Sequence, residues 1–115
     1  MNASLQERLN RYRTMWLFVF FDLPVETKKQ RKAATDFRKR LLKDGFSMMQ
    51  YSVYIRHCAS HESADMHTAR VKSIIPPQGM VSILRITDKQ FSNIQNFWGG
   101  ASKPLPPAPP QLELF

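Results

Sequence analysis

The run MWLFVFFDLP sets seven apolar residues, Met15 to Phe21, directly before a carboxylate, Asp22. Between a strand and a helix, an aspartate ordinarily satisfies exposed backbone N–H groups near the helix start. A few positions on, residues 26–44 hold eight Lys/Arg against Glu26, Asp36 and Asp44, a net of +5 in a chain whose formal net charge is +8. A basic balance of this size points to a polyanionic partner, nucleic acid first and an anionic membrane surface second. The three histidines, His57, His61 and His67, and the single cysteine, Cys58, fit no closed four-ligand zinc spacing. The serines have no neighbouring base at readable spacing, so a nucleophilic triad is not expected.

The elements that must position these groups follow from patterning. At 115 residues, 43 % hydrophobic and 11 % aromatic, the chain suits one domain with a modest core. Trp16, Phe18 and Phe20 fall on one face of a strand, and Leu17, Val19 and Phe21 on the other. Both faces are apolar, which predicts a central strand covered on both sides. Pro24 breaks it. Thr27 and Gln30 have capping-box spacing ahead of a helix over 28–43, with Gly45 as a stop signal. On that helix Ala33, Ala34, Phe37 and Leu41 share about 100° of arc, and Lys28, Arg31, Lys32, Arg38, Lys39 and Lys43 fan over the far side.

Residues 46–57 alternate as strand, with Tyr51, Val53 and Ile55 on one face; one long strand and two strands joined tightly near Gln50–Ser52 both fit. Ser60 can cap a second helix over 61–74, presenting Ala64, His67, Val71 and Ile74. Pro76 and Pro77 end it, a strand follows over 80–87, and 91–98 reads as a last short strand. The order is an α+β, ferredoxin-like split β-α-β arrangement, β-α-β-β-α-β. Residues 1–14 form an N-terminal arm or short helix, 15–100 the domain, and 101–115 a proline-rich extended tail. Two helices cover only one face of such a sheet, so a homodimer packed sheet to sheet is expected. One cysteine, no apolar run near 20 residues and no signal-peptide core lead to the expectation of a cytoplasmic protein with no membrane partner.

VFFDLP, the basic helix after it and GFSMMQYSVYIR together resemble the small CRISPR-associated adaptation protein, the ferredoxin-like partner of the CRISPR integrase often named an endoribonuclease. The likeness spans roughly residues 14–98 and rests on the ordered set, since no single element is specific. It implies a homodimer with Asp22 near the twofold axis, where Asp22 and its copy in the second chain hold Mg²⁺. Two carboxylates plus waters suit that ion, which could activate a water against a phosphodiester. It also implies a shared role in spacer acquisition: holding a short DNA duplex between integrase dimers in a heterohexameric or heterotetrameric complex, through phosphate contacts without base reading. Lys28, Arg31, Lys32, Arg38 and Lys39 suit that task, as do Arg11, Arg13 and Arg56.

Three functions therefore stand side by side. The first is an adaptation factor that binds duplex DNA and bridges integrase subunits. The second is a Mg²⁺-dependent endonuclease for single-stranded RNA or duplex DNA, with Asp22 as the catalytic metal ligand. The third is an RNA-binding regulator or toxin-like ribonuclease that shares only the fold. In the tail, QLELF alternates apolar and polar residues, and Leu112, Leu114 and Phe115 could add a strand to a sheet edge of the integrase or of the dimer mate.

Overall fold

The computed structural model describes residues 14–99 and 101–103. The expected N-terminal arm, with Arg11 and Arg13, and the tail residues Leu112, Leu114 and Phe115 lie outside the described residues. In chain order the elements are β1 (Met15–Asp22), α1 (Lys28–Lys43), β2 (Ser47–Gln50), β3 (Val53–Cys58), α2 (His61–Ser73), β4 (Met80–Thr87), α3 (Asp88–Ser92), β5 (Asn96–Trp98) and β6 (Ala101–Lys103). The main sheet has the order β2-β3-β1-β4, with every neighbouring pair antiparallel. The apolar strand β1 is thus central, with Phe18 opposite Ile55 on one side and Leu84 on the other. This is the ferredoxin-like α+β architecture that the element order predicts.

Period-2 alternation divides β1 between two cores. Met15, Leu17, Val19 and Phe21 face the helices and pack with Phe37 and Leu41 of α1 and Ala64 and Val71 of α2. Phe21 and Phe37 meet edge to face at 5.1 Å, a favoured aromatic geometry. Trp16 and Phe18 face the other way and pack with Ile55 and Phe91.

That second core corrects the reading of residues 91–98 and supplies part of the cover for the sheet. Residues 91–98 are not one strand: Asp88–Ser92 form a helical turn, and Asn96–Trp98 pair with Ala101–Lys103 as a separate hairpin sheet. The cause is local, because Thr87 and Gln90 form a capping box immediately after β4. Moreover, α3 covers Trp16 from within the chain, Phe91 stacking on it at 3.8 Å. A second copy is therefore not needed over that end of the sheet. At the other end of the same face Phe20 is 38 %, Leu84 47 % and Met80 69 % exposed.

The segment 46–57 resolves into two strands. Gln50 pairs with Val53, which leaves Tyr51–Ser52 as a two-residue loop. Ser52 takes φ +65, the one positive φ among described non-glycine residues. Tyr51 consequently leaves the face of Val53 and Ile55 and stands in solvent.

Candidate nucleic-acid interface

Asp22 closes β1 opposite Met80, on the face of Phe20 and away from α1 and α2. It is exposed, and its carboxylate makes no hydrogen bond or ion pair among the described residues. The cap of α1 is Thr27: its Oγ1 accepts from Gln30 N–H at 3.0 Å, while Gln30 Oε1 accepts from Thr27 N–H at 3.0 Å. Asp22 therefore does not serve as the helix cap. The backbone beside it is tightly held, because Gly79 at φ +100 approaches so closely that a Cβ would lie 2.7 Å from the Asp22 carbonyl oxygen. Only glycine suits that φ and that gap.

As donor chemistry, one exposed carboxylate fits half of a Mg²⁺ site, since that ion takes one or two carboxylates and keeps several waters. No group of three or more His, Cys, Asp and Glu side chains gathers among the described residues. His57 and His67 lie in separate places, against Trp16 and Asp44 respectively.

The cations of α1 are arranged by its amphipathicity. Ala34, Phe37 and Leu41 are buried, so Lys28, Arg31, Lys32 and Lys39 turn outward and line a shallow open groove with Lys29 and Asp36. Within it Lys32 Nζ donates to Asp36 Oδ2 at 2.8 Å. That hydrogen bond and the paired charges raise the Lys32 pKa and lower that of Asp36. The pair is exposed and i,i+4, so it tempers the positive face without organising it. Arg31 Nη1 donates to the carbonyls of Val25 and Glu26 at 3.1 and 2.9 Å, which steadies the connection from β1. Arg38 is half-buried, its guanidinium carbon 6.0 Å from the Tyr51 ring centroid.

Arg56, expected among the phosphate contacts, is also engaged within the fold. Its Nε donates to the Asp44 carbonyl at 2.8 Å and its Nη1 to the His57 carbonyl at 2.7 Å. Through these two bonds the half-buried side chain straps the end of α1 to β3. Asp44 completes this knot, accepting from Arg70 Nη1 at 2.8 Å and lying 2.8 Å from His67 Nδ1. Partial burial pushes the Asp44 carboxyl up, but the His67 and Arg70 hydrogen bonds outweigh it and hold the pKa below the usual carboxylate range. Sequence reasoning missed the knot because its members lie up to 26 residues apart with no motif spacing. It also missed Tyr51, since no glycine or proline marks the β2–β3 turn.

The chain is thus a ferredoxin-like domain with an outward basic helix and an exposed carboxylate at the end of its central strand, a charge pattern that suits a polyanionic partner. Comparison with known sequences makes this specific. Residues 15–94 match the family model described as CRISPR associated protein Cas2. The "CRISPR-associated endoribonuclease Cas2" of Flavobacterium psychrophilum is 54 % identical over 110 residues, 94 % of each chain. The protein of that name from Parvibaculum lavamentivorans is 52 % identical over 101 residues, 88 % of this chain and 100 % of its own. That from Paracidovorax avenae is 47 % identical over 107 residues, 93 % of this chain and 99 % of its own. The chain belongs to the Cas2 family of CRISPR-associated proteins.

Proposed function

We propose that this chain is a spacer-acquisition factor that dimerises, holds short duplex DNA and bridges CRISPR integrase subunits. The observation that carries the reading is the outward row of Lys28, Arg31, Lys32 and Lys39 on α1, a line of cations suited to phosphate contacts. Arg38 belongs to the same helix but sits against Tyr51. Arg11 and Arg13 join the proposal from sequence alone. Dimerisation uses the open sheet face of Phe20, Met80 and Leu84, which would bring the two Asp22 residues to one side of the assembly. The C-terminal Leu112, Leu114 and Phe115 reach the integrase by strand addition; removing 108–115 should weaken integrase affinity and leave the dimer intact.

The decisive test is binding of a labelled DNA duplex across a salt series by Lys28→Glu/Arg31→Glu/Lys32→Glu. Each lost phosphate contact should lower the salt slope by about 0.9, and affinity at low salt should fall at least about tenfold. An unchanged affinity and slope would remove α1 from the interface.

A second reading, a Mg²⁺-dependent endonuclease acting on RNA or DNA, is favoured by Asp22 being exposed and without a side-chain partner among the described residues. Asp22 with its copy would hold the ion, which supplies a polarised water and a counter-charge for the leaving oxygen. The chain's own part is to present the carboxylate on a strand end fixed by Gly79 and to hold the phosphates on α1. Labelled RNA and duplex DNA should be cut by wild type with Mg²⁺ and left intact by Asp22→Ala. If neither protein cuts, or both cut equally, Asp22 has no catalytic role and the acquisition reading stands alone.

A further inference from the structure

Tyr51 is 77 % exposed, more than any other large apolar side chain described. Burial does not explain it, and neither does flexibility, because its loop is anchored. The loop has two residues, closes with the Gln50–Val53 pair, and its Ser52 carbonyl accepts from Phe21 N–H of the central strand at 3.1 Å. That bond also sets the hairpin tip at the end of the sheet where β1 finishes in Asp22. The half-buried Arg38 holds its guanidinium carbon 6.0 Å from the ring centroid, within the range of cation–π attraction. A fixed aromatic ring is thus joined to the outward cations of α1 through a residue of that same helix.

We propose that Tyr51, backed by Arg38, is a stacking platform for one unpaired nucleobase, so that the chain takes a single-stranded segment as well as duplex phosphates. This rests on the reading of α1 as a phosphate-binding face. The chemistry is that of sequence-tolerant single-strand binders, in which a positive groove tracks the backbone and an aromatic ring receives a base. Every base has a π face, so the platform selects for unpaired bases and not for sequence. A blunt duplex keeps its bases stacked within the helix and cannot use it.

The test compares a blunt DNA duplex with the same duplex carrying single-stranded overhangs, bound to full-length wild type, Tyr51→Ala and Tyr51→Trp. A 2-aminopurine in the overhang reports stacking by loss of fluorescence. Wild type should prefer the overhang duplex and quench the probe. Tyr51→Ala should lose about tenfold in affinity for it, within the range of one base–aromatic stack. It should bind the blunt duplex as wild type does and leave the probe bright; Tyr51→Trp should retain preference and quenching. The proposal is overturned if wild type shows no preference, if Tyr51→Ala weakens both duplexes equally, or if quenching survives in Tyr51→Ala. Failure of the phosphate reading looks different: charge reversal on α1 would leave blunt-duplex affinity unchanged whatever Tyr51 does.

Discussion

His57 lies in the second core, edge-on to Trp16 at 4.8 Å, with Nε2 3.9 Å from Asp88 Oδ1. Its Nδ1 is buried and has no hydrogen-bond partner among the described residues. Burial lowers its pKa, the Asp88 charge pulls it back up, and the Arg56 charge lowers it further. Since the folded pKa lies below the unfolded value of about 6.5, the unfolded chain takes up the proton first as pH falls. The stability contribution is full above about pH 6.5 and is lost as pH drops from there toward the folded pKa. Thermal melting of wild type should therefore fall from about pH 7 to about pH 5.5, and His57→Gln should show a flatter profile. Equal slopes in the two proteins would contradict the assignment. Asp44 has the opposite sign and a lower window. Its depressed pKa stabilises the fold above the unfolded carboxylate value, and that stability is lost as pH falls through the folded one.

Among the elements, α1 and α3 differ in how they are secured. The long helix α1 carries its own capping box and a continuous buried stripe, so its position follows from 16 residues of consistent pattern. The five-residue α3 is too short to be stable alone and depends on Phe91, buried against Trp16 and Phe18. Phe91→Ala should cost about 3–5 kcal/mol in urea denaturation, as for other buried aromatic truncations. A loss below about 1 kcal/mol would mean that α3 does not hold the second core together.

In the whole molecule, the sheet face beyond α3 is left exposed among the described residues. Phe20, Met80 and Leu84 lie there beside Asp22, an apolar patch with a carboxylate at its border. A second copy would bury the patch, and a twofold axis through it would make the contact isologous. Sedimentation should find wild type as a dimer and Leu84→Glu shifted to monomer with an unchanged far-UV spectrum. A monomeric wild type would remove the dimer and, with it, the paired Asp22 site.

What the sequence determined by itself was whatever depends on period and near neighbours. The two apolar faces of β1 marked it as central, and β1 does lie between β3 and β4. The Thr27/Gln30 spacing and the stripe of Ala34, Phe37 and Leu41 placed α1 and turned its lysines outward. The ordered motifs around Asp22 and the basic helix sufficed to suggest the family. Tertiary structure decided the matters of long-range or strained geometry. Arg56 became an internal strap because the end of α1 returns beside β3. Trp16 gained its cover from α3, 75 positions away at Phe91. Tyr51 left the strand because Ser52 accepts a left-handed backbone without glycine. Such outcomes depend on which carbonyls and rings meet once the sheet is closed, and no local pattern encodes that.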